Sequence, residues 1–154
     1  MLRENAAACL LTDHLQFIED ERLLCLVDWT IGGTARGVSQ LAPGTLMMLR
    51  DLHYRYPESG ALARRGEDSV LLHALYNSVK VAHLQDAGYL YLYRYHGRNT
   101  YPREHHYGLS QYRRASNAHI NRLAARIREA ATHYPIPRPC LVVGHEGPCF
   151  ALGG

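Results

Sequence analysis

From Ser116 onward the chain carries one apolar stripe. Ile120, Leu123, Ala124, Ile127, Ala130 and Ala131 recur at helical spacing, while Arg122, Arg126 and Glu129 fall largely off the stripe. Pro135, Pro137 and Pro139 then stop the helix. Such a helix must lay its stripe on another layer, and the residues upstream read as a sheet. Tyr89-Leu90-Tyr91-Leu92-Tyr93-Arg94-Tyr95 puts tyrosines on one face and leucines on the other, a period of two. Leu23-Leu24-Cys25-Leu26-Val27 is a continuous apolar run of buried-strand type. With the run from Leu15 and the turn Glu19-Asp20-Glu21-Arg22 it makes a hairpin. Asn5 to Leu11 fits helix or strand equally. The expected fold class is α/β, a mixed sheet flanked by helices.

The remaining punctuation sets the order of elements. Thr30 to Gly37, with Gly32 and Gly33, is a glycine-rich loop. Pro43-Gly44 is a turn opening a strand over Thr45 to Arg50, after which Asp51 caps a short helix that Pro57 stops. Glu58 to Gly66 is an exposed loop. Asp68 or Ser69 caps a helix over Val70 to Tyr76, and Val79 to Leu84 is a strand ending in the turn Gln85-Asp86-Ala87-Gly88. His96 to Gly108 reads as a polar loop. These signals divide the chain into a domain over 1–134 and a Pro/Gly-rich tail over 135–154, whose one apolar segment is Leu141-Val142-Val143.

A chain of 154 residues and 17.4 kDa is the size of one ordinary domain. No apolar run approaches the ~18 residues of a membrane helix, and the first residues lack the long apolar core of a signal peptide. The expected location is the cytoplasm. The net charge of +3 is too small to argue for nucleic acid. Sixteen of the 17 basic residues are arginine, suited to forked binding of phosphate or carboxylate, although a GC-rich genome produces the same bias. Arg113, Arg114, Arg122, Arg126 and Arg128, with Tyr107 and Tyr112, offer a nucleic-acid face; a charge run is more commonly a solvated helix face. Cys9, Cys25, Cys140 and Cys149 have no C-x-x-C spacing and read as free thiols. The ten histidines include no H-E-x-x-H.

Two segments concentrate reactive groups. In Arg64-Arg65-Gly66-Glu67-Asp68-Ser69, adjacent carboxylates sit where a loop enters a helix, whose N-terminus favours negative charge. Asp68 is then an ionised general base, or simply a cap. In Arg94-Tyr95-His96-Gly97-Arg98-Asn99-Thr100 a strand runs out into a loop, where arginine and backbone N–H suit a diphosphate and imidazole suits a divalent metal. The plainer reading is a polar strand end with Asn99 making a turn. His105 and His106 add nitrogen ligands, but adjacent histidines rarely chelate one ion.

In order, the chain offers a glycine-rich loop, Gly44-Thr45-Leu46-Met47-Met48-Leu49-Arg50, Tyr56-Pro57, Gly66-Glu67-Asp68, two strands, and Tyr93 to Thr100. This series resembles the C-terminal, acceptor-side half of the catalytic domain of bacterial family 2 glycosyltransferases with the GT-A fold. The last segment is similar to that family's Y-x-R-H-G-x-N-T pattern, with Tyr95 inserted between the Arg94 and His96 positions. The likeness covers roughly Leu15 to Thr100. It implies transfer of a sugar, with inversion, from a nucleotide diphosphate donor to an acceptor hydroxyl. Asp68 would be the general base and Glu67 its helper. His96, flanked by Arg94 and Arg98, would approach the metal–diphosphate group, with Mn²⁺ or Mg²⁺ as the ion. Gly32, Gly33, Gly44 and Thr45 would form the acceptor-side loop. The family's D-x-D motif and donor-binding strands have no match here. The resemblance therefore implies a half that is inactive alone and requires a donor-binding half. The other class of reading is a non-catalytic interaction module, a remnant that pairs with another chain as a homo- or hetero-oligomer through its exposed sheet edge.

Overall fold

The computed structural model describes residues 5–31, 42–63 and 67–153. The fold is α/β, with mixed sheets flanked by helices. Gly32, Gly33 and Gly66 lie outside the described residues.

β1 (Ala8–Leu11) and β2 (Asp13–Ile18) follow one another across Thr12. β1 is the centre of a three-stranded sheet, antiparallel to β4 (Met47–Met48) and parallel to β5 (Val81–Leu84). β2 belongs to a five-stranded sheet in the order β6-β2-β3-β7-β8. In it β3 is Leu23–Asp28, β6 Leu92–Tyr95, β7 Cys140–Gly144 and β8 Gly147–Leu152. β6 runs parallel to β2 as β5 does to β1, so the β5–β6 stretch tracks the β1–β2 stretch across both sheets. Thr12 marks the join, its N–H and hydroxyl both bonding to Leu84 O at 3.0 and 3.2 Å.

The hairpin read from Leu15 to Trp29 is β2–β3, with Asp13 opposite Asp28 and Ile18 opposite Leu23. The helix read from Ser116 is α3 (Asn117–Ala131), capped by Ser116 Oγ, which accepts the His119 N–H at 3.2 Å. Its stripe enters the core as expected: Ile120, Leu123 and Ile127 pack against Leu15, Phe17, Leu24 and Leu26. Full burial of each such side chain contributes ~1.5–3 kcal/mol before chain entropy is counted.

Several segments differ from the sequence reading. The strand expected over Tyr89 to Tyr95 is confined to Leu92–Tyr95, because residues 88–90 form a 3-10 turn. Residues 140–152 are no appendage, since β7 and β8 extend the main sheet beside β3, and Val142 and Leu152 join the core. No helix follows Asp51: a helix there would be too short to hold without packing, and Pro57 turns its predecessor away from helical geometry. The strand expected over Thr45 to Arg50 shrinks to Met47–Met48, because residues 43–45 form a 3-10 turn tied down by Thr45. The polar loop before Gly108 contains α2 (Arg103–Tyr112), whose buried residues are His106 and Ser110. A helix that buries a histidine and a serine leaves no apolar period to detect. The helix α1 (Glu67–Ser78) begins earlier than its expected caps.

Candidate functional site

Along β2 the side chains alternate, so His14 and Gln16 face away from Leu15 and Phe17. Leu15 and Phe17 meet α3, and the opposite face meets α2: Gln16 Nε2 donates to His106 O at 3.0 Å. Where β2 and β6 approach α1 and α2 there is a cavity of about 260 Å³. Its lining draws on several elements: His14 of β2, Trp29 just past β3, and Tyr91 and Tyr93 at β6. Ala42 and Gly44 precede β4, Asp68 and Ser69 open α1, and Tyr101, His105 and Leu109 come from α2 and its approach.

The aromatic walls are fixed by their own contacts. Trp29 Nε1 donates to His14 Nδ1 at 2.8 Å, and Trp29 N donates to Thr12 O at 2.9 Å. The Arg113 guanidinium lies 5.0 Å from the indole and donates to Trp29 O at 3.1 Å. Tyr101 stacks on His105 with centroids 4.5 Å apart. Gly44 makes room for Tyr91, because an added Cβ would fall 2.5 Å from the tyrosine hydroxyl. Thr45 has a structural task beside it: its hydroxyl donates to Ala42 O at 2.6 Å and accepts from Leu11 N at 3.0 Å.

Asp68 is the carboxylate of this cavity. It sits in the first turn of α1, where the helix N-terminus favours its charge. Burial nevertheless raises its pKa above the ordinary carboxylate value, the neighbouring Glu67 raises it further, and a hydrogen bond with the Tyr56 hydroxyl pulls it back. A carboxylate with raised proton affinity is a stronger base than a solvated one. Glu67 acts on the cavity through this charge and does not line it. Burial lowers the pKa of His105, which also lines the cavity, below its ordinary value.

The other expected site residues are placed elsewhere. His96 does not line the cavity. It opens a tight turn in which Asn99 Oδ1 accepts the His96 N–H at 3.0 Å, His96 Nδ1 accepts the Arg98 N–H at 3.3 Å, and Gly97 takes φ +80°. Asn99 Nδ2 closes the turn on Arg94 O at 3.0 Å. The R-Y-H-G-R-N string thus has a complete local explanation. Arg94 spends its fork on Glu19, with Nη2 and Nε at 2.8 and 3.1 Å from the carboxylate. Among the described residues no group of three or more His, Cys, Asp or Glu side chains is arranged to hold a metal ion. Among the described residues His96 therefore has no set of co-ligands.

The arginines of the possible nucleic-acid face are also engaged. Arg114 donates to Ser110 O, Arg122 pairs with Asp86, Arg126 meets Tyr89, and Arg128 covers Phe150. The four cysteines are free thiols; Cys25 is fully buried, which pushes its pKa up to about 12. Among the described residues no helix is long and apolar enough to cross a membrane.

The cavity therefore joins Asp68 and Gly44, which the sequence singled out, and His105 and Tyr93, which it named as an added ligand and as the start of a motif, to His14, Trp29, Tyr91 and Tyr101, which it did not assign to a site. The tyrosine alternation was visible, but Trp29 and His14 come together only through the β2–β3 pairing. No family model, curated protein or solved structure matches this chain.

Proposed function

We propose that the cavity is the acceptor site of a glycosyltransferase related to family 2, with Asp68 as the general base. The observation that carries this reading is a carboxylate of raised pKa on the wall of an aromatic cavity. Aromatic rings suit the apolar faces of a sugar, and the carboxylate suits removal of a proton from its hydroxyl. The ordered motifs around Gly44, Tyr56 and Glu67–Asp68 support the same assignment. In this reading a donor half supplies the nucleotide site and the Mn²⁺ or Mg²⁺ at the diphosphate. Asp68 takes the hydroxyl proton as the acceptor oxygen attacks the anomeric carbon, which inverts as the nucleoside diphosphate leaves.

The test joins this chain to a donor-binding half and follows acceptor-dependent release of nucleoside diphosphate. Asp68→Asn is expected to slow transfer by at least ~100-fold, the low end for general-base catalysis. Transfer at the full rate in Asp68→Asn would overturn the assignment.

A second reading, an interaction module, draws support from Met47 and Leu49, which are 55% and 41% exposed at the β4 edge. Light scattering on the chain alone separates the two: a cooperative monomer counts against an obligate partner at that edge. Heat on titration with a nucleotide sugar and Mn²⁺ counts against a module without a donor site.

A further inference from the structure

One cavity residue has no task in proton transfer from the acceptor. His14 is only 2% exposed, and burial drives its pKa down to about 3, so the ring is neutral. A neutral imidazole carries one proton, and an indole N–H can only donate. Trp29 Nε1 donates to His14 Nδ1 at 2.8 Å, which fixes Nδ1 as the acceptor. The proton must therefore reside on Nε2. That N–H is buried and has no hydrogen-bond partner among the described residues. The rings of Trp29, Tyr91 and Tyr93 stand 5.8, 6.1 and 6.1 Å from the His14 ring, and all of them line the cavity. Buried polar groups are nearly always paired, and one left unpaired in a residue that lines a cavity calls for a ligand atom that reaches it.

We propose that His14 is the specificity-determining donor of this cavity, and that the occupant is a single neutral sugar ring giving one oxygen to His14 Nε2–H and one hydroxyl to Asp68. This rests on reading the cavity as an acceptor site and names the class of acceptor. Its size favours one ring, since about 260 Å³ falls just below the ~300–1,000 Å³ of pockets for drug-sized ligands. Its chemistry favours a neutral one. Aromatic walls with a carboxylate also hold quaternary ammonium ions, but such a cation has no acceptor and leaves the His14 donor unmet. A sugar brings apolar C–H faces for the rings, an acceptor for His14 and a donor for Asp68.

Trp29 is the only tryptophan, so its fluorescence reports on the cavity directly. The chain is titrated with D-glucose, D-galactose, D-mannose, N-acetyl-D-glucosamine and tetramethylammonium. A saturable change with one or more of the sugars and none with tetramethylammonium is expected. Monodeoxy analogues of the best sugar then probe the unmodified protein. One position should weaken binding by ~10-fold or more, as expected when a buried donor loses its acceptor. His14→Phe keeps ring volume without the N–H, and should bind the parent and that deoxy sugar equally weakly. No response to any sugar, a stronger response to tetramethylammonium, or a flat deoxy series would overturn the proposal. Asp68→Asn separates it from the catalytic reading. A sugar response that persists there while transfer is also undiminished removes Asp68 as base and leaves His14 standing.

Discussion

Replacing Gly88 with alanine should destabilise this fold by pressing a methyl onto the backbone of β2. Gly88 begins the 3-10 turn Gly88–Leu90 that leads into β6. An added Cβ would lie 2.8 Å from the Asp13 backbone carbonyl carbon and 2.8 Å from its carboxylate. The backbone of β2 is locked between β3 and β6, so relief must come from the turn moving away. That movement breaks the hydrogen bonds by which Ala87 and Gly88 N–H hold the Asp13 carboxylate. Overpacking costs ~1–3 kcal/mol, and a lost bond to a charged group ~1.5–3 kcal/mol. A combined loss of about 4 kcal/mol lowers Tm by roughly 8–16 °C in a domain of this size. Thermal unfolding by circular dichroism measures it, with two controls. Gly97→Ala meets no neighbour but keeps φ +80°, and should cost ~1–2 kcal/mol. Gly108→Ala, inside α2 with open space around it, should gain ~1 kcal/mol from helix propensity. A Gly88→Ala protein melting within a few degrees of the parent would refute the claim that this turn is wedged against Asp13.

Two buried groups on β2 should give pH dependences of opposite sign, read from denaturant unfolding across pH. Burial raises the Asp13 pKa above 3.8, with Asp28 adding to the rise and Gly88, Ala87 and His119 opposing it. Its contribution to stability is therefore full below the ordinary carboxylate value and declines as pH rises through the raised one. Asp13→Asn should lack that decline, and an unchanged slope above pH 4 would count against it. His14 runs the other way: with its pKa lowered from 6.5 to about 3, its contribution is present above pH 6.5 and fades as pH falls toward 3. His14→Phe should flatten that acid limb, and an identical limb in both proteins would contradict a neutral buried ring.

What was legible in the sequence was whatever used apolar period. The α3 stripe repeats at helical spacing because it faces one apolar core, and the β2–β3 hairpin is legible as two apolar runs about a polar turn. Elements that bury polar side chains were hidden. α2 anchors through His106 and Ser110, and residues 140–152 look like a tail because their glycines and prolines mask a hairpin whose alternate residues reach the core. The site divides in the same way. Asp68 announces itself because charge at a helix start is a local signal. His14 gives no local signal, since a histidine between Asp13 and Leu15 in a strand looks like any polar interruption.

That interruption has a physical consequence. Asp13, His14 and Gln16 are all buried on β2, the strand at the junction of the two sheets, where an apolar residue would be the economical choice for stability. Asp13 caps the Gly88 turn and Gln16 ties β2 to α2 through His106 O, while Asp13 Oδ2 and Gln16 Oε1, like His14 Nε2, have no hydrogen-bond partner among the described residues. His14 accepts from Trp29, but holding an indole does not require a second, unanswered N–H in the interior. A phenylalanine there would remove the unmet Nε2–H but would leave the Trp29 indole N–H without its acceptor. The unpaired Nε2–H of His14, in a residue that lines the Asp68 cavity, is the group that the proposed sugar oxygen would meet. The site is centred on the β2–β6 face, and the His96 turn, with its bonds satisfied internally, stands outside it.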